Sequence, residues 1–282
     1  MPISAQYASA TYALGAVCCW GISDFLGGYT ARKFNSFFLA MLGHAGGFSM
    51  VFAIAAGNHL PLPSTRGIVW AMLAGASGGT ALALFYRALA QGNMGLAAPV
   101  STVIGAAIPA VFAIWAEGFP RPLTFAGFTL AVVGIWLISR CPEESGRPQG
   151  LGLAVISGLG FAGFYICMKQ AGNGTAWWLA ACSRGASLVA TAVITFAGRK
   201  FRPFYPAGAV IGVLAGCLDV TGTVLFVRAA QSGRLDTAVV LTSLYPVITI
   251  LLARAILKER FTAWKTAGMA AALAAVPMIA RG

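Results

Sequence analysis

The 282-residue chain is 59% hydrophobic, only 9% of its residues are charged, and its mean hydropathy is +0.81. Soluble globular domains carry about 25% charged residues, so this composition excludes a soluble protein and indicates a membrane protein. The net charge of +12 would suit a nucleic-acid partner, but the Lys and Arg residues are spread singly along the chain, so we expect no nucleic-acid partner.

Apolar blocks of about 20 residues alternate with short polar breaks, and this is the length that an α-helix needs to cross about 30 Å of hydrocarbon. In chain order they predict ten transmembrane helices, over residues 9–30, 35–57, 67–90, 94–116, 122–139, 150–170, 175–197, 207–229, 235–257 and 262–280. The breaks contain Gly, Pro and charged residues and are too short for a separate soluble domain. The predicted fold class is an all-α polytopic membrane protein in contact with a lipid bilayer.

The basic residues between the predicted helices indicate the orientation of the chain. Twice as many Lys and Arg residues fall on one side of the membrane as on the other, and Arg32-Lys33 follows the first span. Cytoplasmic loops carry such an excess, so both termini are expected on the periplasmic side. No Lys or Arg precedes Arg32, so the basic segment that begins a cleavable signal peptide is missing.

The two halves of the chain resemble each other. One constant offset aligns Phe85 with Phe226, Arg87 with Arg228, Gly92 with Gly233, and Gly127 with Gly268. The predicted repeats are residues 1–140 and 150–282, joined by a loop over 141–149. Because each repeat holds five helices, an odd number, the second repeat enters the membrane inverted. Two inverted five-helix repeats around a central cavity are typical of transporters, which open the cavity to each side in turn.

The segment LTSLYPVITILLARAILKERFTAWKTAGMAAALAAVPMI at 241–279 resembles the end of an EamA domain in the drug/metabolite transporter superfamily. Its Tyr-Pro pair, the Glu that follows and a later Gly carry the resemblance, and Trp20-Gly21 is similar to the Trp-Gly of the family's first helix. The resemblance implies a ten-helix basket whose central cavity exports or exchanges small metabolites. Within the family, the chain resembles the bacterial amino-acid exporter branch, which also handles aromatic and cationic compounds.

Ionisable side chains inside the predicted helices each need an explanation: Asp24, His44, Arg184 and Asp219. A charge at the bilayer centre costs about 2.5–3.5 kcal/mol on insertion scales, so it implies a partner, a water-filled cavity or a function. Arg184 is expected to pair with an acid or to contact substrate, and His44 is either packed or couples transport to protons. Asp24 binds a substrate ammonium, takes up a proton, or lies at the membrane interface near the basic residues that follow it.

An amphipathic substrate needs apolar aromatic walls and a few polar anchors. The residues predicted to bind it are aromatic, hydroxyl or acidic: Trp20, Asp24, Ser77, Thr80, Ser101, Tyr165, Asp219 and Tyr245. For any single hydroxyl, a hydrogen bond between packed helices is the alternative. Prolines interrupt the equivalent fourth and ninth spans, where they predict either gating hinges or fixed kinks: Pro99, Pro109 and Pro246.

The chain lacks the H-E-x-x-H motif and any Cys/His cluster with metal-ligand spacing, so we expect no enzyme, metal site or cofactor. The predicted function is export of small amphipathic metabolites, foremost amino acids of the aromatic, Met and Thr type. We expect a monomer in the bacterial inner membrane. No buried acidic residue occurs at matching positions of both halves, which favours a facilitator. The alternative is a proton-coupled antiporter for cationic drugs or other metabolites.

Overall fold

The computed structural model describes residues 3–91, 94–139, 150–198, 206–257 and 263–281, and within these ranges helices joined by short loops form the whole fold. The helices are α1 (Ile3–Ala31), α2 (Ser36–Gly57), α3 (Thr65–Gln91), α4 (Met94–Glu117), α5 (Pro122–Ser139), α6 (Leu151–Gln170), α7 (Ala176–Ala197), α8 (Pro206–Ser232), α9 (Leu235–Thr242), α10 (Tyr245–Leu257) and α11 (Ala263–Arg281). Every predicted span coincides with a helix, except that the ninth is divided into α9 and α10.

The predicted helical class is correct, whereas the predicted number of membrane crossings is not fully supported. Within the described ranges, seven helical segments are long and apolar enough to cross a membrane, with 235–257 counted as one of them. A shorter apolar stretch covers Pro122–Leu137. The first helix, α1, is not among the seven although it packs within the bundle; it carries Asp24 and several Gly, Ser and Tyr residues.

The helices pack as two copies of one arrangement. In one copy α1 packs on α8 and α2 packs on α8; in the other α6 packs on α3 and α7 packs on α3. Likewise α4 packs on α6, while its counterparts α9 and α10 pack on α1, and α5 packs on α11. These main contacts between the halves therefore recur with the halves exchanged, as expected of two repeats related by an approximate two-fold axis.

Glycines allow the closest of these approaches. A Cβ added at Gly75 of α3 would overlap the carbonyl of Ser183 in α7, and one added at Gly216 of α8 would overlap the carbonyl of Gly43 in α2. Gly75 and Gly216 are separated by the constant offset of the sequence repeat. Because the overlapping atoms belong to the backbone, no rotation of a side chain can relieve the clash. Both repeats therefore require glycine at this pair of equivalent positions.

A methyl group at Gly216 is expected to destabilise the protein. Overfilling a packed contact costs about 1–3 kcal/mol, so Gly216→Ala should lower the midpoint of thermal unfolding of the purified protein. Gly152→Ala is the matched control, because Gly152 is also helical and an added Cβ there meets nothing within 4 Å. The control should be neutral or slightly stabilising, since Ala favours a helix over Gly by about 1 kcal/mol. Equal midpoints for the two variants would contradict the tight contact of α2 with α8.

The ninth predicted helix is broken at Ser243 and Leu244, between α9 and α10. Pro246 lies in the first turn of α10, where a missing amide hydrogen costs no helical hydrogen bond. In contrast, α4 continues as one helix through Pro99 and Pro109. The helix break therefore occurs in the ninth predicted span and not in the fourth, because a membrane helix surrounded by neighbours tolerates internal proline.

Candidate functional site

A cavity lies between helices of both halves. Its volume is about 50 Å³, and it is partly open to the surface. The wall is formed by α1, α3, α6, α7, α8 and α10, and it includes five of the residues predicted to bind substrate: Trp20, Asp24, Tyr165, Asp219 and Tyr245. A space of this size holds a few water molecules.

Aromatic rings form one side of the cavity. The ring centroid of Trp20 lies 6.1 Å from that of Tyr165, 6.4 Å from that of Tyr245 and 5.8 Å from that of Phe226. Trp20 Nε1 donates a hydrogen bond of 3.0 Å to the carbonyl of Asp219. The indole is therefore fixed by α8, and the rings around it offer a rigid apolar surface to a ligand.

A buried cation also lines the cavity. Arg184 of α7 is 6% exposed, and its Nη1 forms an ion pair with Asp219 of α8. The same Nη1 lies 3.2 Å from Nδ1 of His44 in α2, and Nη2 donates a hydrogen bond of 2.5 Å to Thr223 Oγ1. The structure thus forms an ion pair between the seventh and eighth predicted helices. His44 and Thr223 add to its polar surroundings, while Nε of Arg184 is buried and has no hydrogen-bond partner among the described residues.

His44 is packed into this network rather than exposed in the cavity. It is 1% exposed, and a guanidinium can only donate hydrogen bonds, so Nδ1 of His44 must accept from Arg184. An imidazole with an accepting Nδ1 is neutral. The arrangement is the packed histidine of the two alternatives raised by the sequence.

Asp24 faces the cavity without a protein partner. It is 5% exposed, and among the described residues none donates a hydrogen bond to its carboxylate or forms an ion pair with it. Arg32 and Lys33, the basic residues that would hold it at the membrane interface, are exposed at the end of α1. A buried carboxylate with no partner is costly, so its charge favours a ligand or a proton at this position.

The three predicted hydroxyl ligands are not in the cavity wall. Ser77 Oγ donates to the Gly160 carbonyl at 2.8 Å, and Ser101 Oγ lies 2.8 Å from Ser157 Oγ. Thr80 Oγ1 donates to a carbonyl one turn earlier in its own helix. The expectation that they line the cavity is wrong, because each hydroxyl satisfies its hydrogen bond within or between packed helices.

The sequence reasoning missed several wall residues: Gly78, Gly79, Leu82, Phe161, Phe164, Ser183 and Ser187. Two of them, Gly78 and Leu82, are the repeat counterparts of Asp219 and Thr223 at the constant offset. Extending the repeat alignment from Asp219 would have located this part of the wall. Equivalent positions of α3 and α8 therefore line the cavity. The charged residue at these positions, Asp219, lies in the second repeat.

An ionic cluster joins the two halves where α4 and α6 end and α9 begins: Glu117, Lys169, Arg234 and Asp236. Lys169 Nζ lies 3.1 Å from Glu117 Oε1, and Arg234 Nη2 lies 2.7 Å from Asp236 Oδ2. Hydrogen bonds from Arg234 to Asp236 raise the pKa of Arg234, outside the membrane-spanning segment, so this guanidinium remains charged. We call these four residues the end cluster.

The end cluster ties the first half to the second near the aromatic side of the cavity. Arg234 donates to the carbonyls of Glu117 and Gly118 at 3.2 and 2.6 Å, across the boundary between the halves. Lys169 lies one turn beyond Tyr165 on the same face of α6. The cluster therefore lies beyond Tyr165 along the helices that form the cavity.

Comparisons with known proteins agree with this architecture. The pattern of the EamA-like transporter family matches the chain twice, over residues 8–140 and 148–281. A search of curated proteins found no match. A solved structure titled "Crystal structure of protein" shares the fold with a TM-score of 0.72 over 96% of this chain and 95% of the other, at 16% sequence identity. The resemblance seen in the sequence is confirmed: the chain belongs to the EamA-like transporter family of the drug/metabolite transporter superfamily and is a multi-pass membrane transporter.

Proposed function

We propose that the protein exports small amphipathic metabolites, foremost amino acids of the aromatic, Met and Thr type, from the bacterial cytoplasm. The observation that carries this proposal is the cavity between the repeats. Asp24 lines this cavity together with Trp20, Tyr165 and Tyr245, and no described residue pairs with its carboxylate. An ammonium group would bind the carboxylate, and an apolar side chain would contact the rings. Both termini would lie in the periplasm, and one chain forms the whole cavity, so a monomer suffices.

The transport test is uptake of labelled threonine, methionine and phenylalanine into proteoliposomes of purified protein, with and without an imposed proton gradient. A facilitator should give saturable flux that does not depend on the proton gradient. A proton-coupled antiporter is the second candidate, because the partnerless carboxylate of Asp24 is a site for a proton as well as for an amine. Flux driven by the gradient would favour the antiporter. No flux of any of the three would exclude the amino-acid assignment.

Alternating access would require the two repeats to move relative to each other, as inverted repeats do in other transporters. The end cluster bridges the repeats through Glu117, Lys169 and Arg234, so its contacts must break when that end of the cavity opens. The helix break before Pro246 offers a point at which α9 and α10 can change their angle. In the predicted orientation this end faces the periplasm.

Breaking the end cluster is expected to favour the state that is open at this end. The Lys169 and Glu117 side chains are 32% and 25% exposed, so their pair is worth at most about 1 kcal/mol, or a factor of about five in population. Lys169→Glu should therefore raise, by up to about fivefold, the rate at which a cysteine placed at Leu82 reacts with an impermeant maleimide from the periplasmic side. Adding Glu117→Lys restores opposite charges and should restore the slow rate. If the double variant reacts as fast as the single one, the pair does not hold this end closed.

A further inference from the structure

A second, larger groove lies outside the central cavity, at the end of the molecule that carries the end cluster. Its volume is about 610 Å³, within the range of small-molecule sites. It lies between two segments: residues 61–66, which lead from α2 into α3, and residues 169–175, which lead from α6 into α7. These four helices are all long and apolar enough to cross a membrane. The groove at their ends therefore lies at the membrane surface.

Hydrogen bonds hold the two segments of the groove in place. Thr175 Oγ1 donates to the Pro61 carbonyl at 3.0 Å, which joins one segment to the other. Gln231 of α8 donates through Nε2 to the carbonyls of Gly172 and Gly174, at 3.1 and 2.8 Å. Because the walls are fixed before a ligand arrives, binding would not have to order them.

The ionic groups of the groove are both basic. Arg66 and Lys169 line it, and its described wall contains no Asp or Glu. Arg66 is exposed, and its guanidinium has no ion pair or hydrogen bond with a described residue. Lys169 Nζ contacts Glu117 and the Ala230 carbonyl, and an ammonium group has three hydrogens to donate. The groove thus offers an anion a free guanidinium and one free ammonium hydrogen.

The N-terminus of α7 adds a partial positive charge to the same groove. Thr175 precedes this helix and lines the groove, but its hydroxyl donates to Pro61 and does not cap the first amides of α7. Uncapped amides at the start of a helix favour a negative charge. The helix end therefore acts with Arg66 and Lys169 in attracting an anion.

An apolar surface lies beside the basic groups. Leu62, in the wall of the groove, is 69% exposed. Trp178, in the first turn of α7, packs edge-on against Phe52 with ring centroids 5.5 Å apart, and tryptophan is enriched where a membrane meets water. A phosphate ester bound at Arg66 can lay an apolar chain against Leu62, whereas free phosphate would leave that surface uncovered.

We infer that this groove binds the phosphate group of an anionic phospholipid, with Arg66 and Lys169 as its cations. In the predicted orientation the lipid belongs to the periplasmic leaflet. The groove shares no wall residue with the central cavity, so the inference goes beyond the proposed substrate and does not depend on it.

The experiment titrates the purified protein in detergent with three probes and follows the midpoint of thermal unfolding, which rises as a site on the folded protein fills. Dihexanoyl phosphatidylglycerol carries an anionic phosphate and short acyl chains, dihexanoyl phosphatidylcholine has the chains but no net charge, and inorganic phosphate has no chain. Each basic residue at a membrane surface contributes a factor of about five to the affinity for anionic lipid. Phosphatidylglycerol should therefore bind at least about fivefold more tightly than either other probe.

Arg66→Gln should weaken the binding of phosphatidylglycerol about fivefold while leaving the midpoint without lipid unchanged, since the guanidinium has no described partner. Arg121→Gln is the matched control, because Arg121 is exposed at the same predicted membrane face but lies outside the groove. Equal affinities in the two variants would overturn the assignment of the groove. Inorganic phosphate that binds as tightly as phosphatidylglycerol would overturn the assignment to a lipid. Neither result involves the transported substrate, so the proposed function would stand in both cases.

Discussion

Asp24→Asn is expected to abolish most of the transport while leaving the protein folded. Asparagine has nearly the same size but no charge, so the substitution removes a hydrogen bond between charged groups that is worth about 1.5–3 kcal/mol. Affinity for an amine should therefore fall by a factor of about 10 to 100. None of the described residues binds the carboxylate of Asp24, so the fold does not depend on it. Counterflow of phenylalanine and 2-phenylethylamine measures the decrease in transport, and the unfolding midpoint reports on the fold.

Ser101→Ala is the control for this substitution. Ser101 is buried like Asp24, but it bonds to Ser157 between α4 and α6, outside the cavity wall. The variant should transport at the wild-type rate per folded molecule even if its stability falls slightly. Wild-type flux and affinity in Asp24→Asn would show that this carboxylate is not the anchor of the substrate.

Arg184→Met is expected to be the most destabilising substitution in the cavity. It leaves Asp219 as a buried carboxylate without its cation and removes the donor to Thr223 and His44. Removing one partner of a buried ion pair costs about 3–5 kcal/mol. The thermal midpoint and the yield of monodisperse protein should both drop sharply.

The double variant Arg184→Met with Asp219→Asn separates the charge effect from the effect of altered packing. Replacing both members removes the uncompensated charge, so the double variant should recover most of the stability that the single variant loses. If the two variants unfold at the same temperature, the cost lies in packing or in the other hydrogen bonds, and the pair is not what stabilises α7 against α8.

The positions of the helices could be predicted from the sequence because hydropathy and length are properties of the chain alone. The break before Pro246 could not, because residues 235–257 are apolar throughout and hydropathy does not detect a change of backbone direction. Proline does not locate such a break by itself, since α4 continues as one helix through Pro99 and Pro109.

The charged residues of the site were easier to predict than its hydroxyls. A charge inside an apolar helix has few tolerable environments, so Asp24, Arg184 and Asp219 all pointed to a cavity or an ion pair. A hydroxyl can instead donate its hydrogen bond to a carbonyl of its own helix, as Thr80 does. Its position along one helix also does not reveal which neighbouring helix covers it. Leu82 was missed because an apolar wall residue has no chemical signature.

The central claim, that one cavity serves both sides of the membrane, is tested most directly by a single cysteine at Leu82. Leu82 lines the cavity, and the substitution would be made in a chain whose six native cysteines are replaced. In sealed vesicles of each orientation, an impermeant maleimide should label this cysteine from both faces, and 2-phenylethylamine or phenylalanine should slow both reactions. Labelling from one face alone, with or without substrate, would contradict alternating access through this cavity.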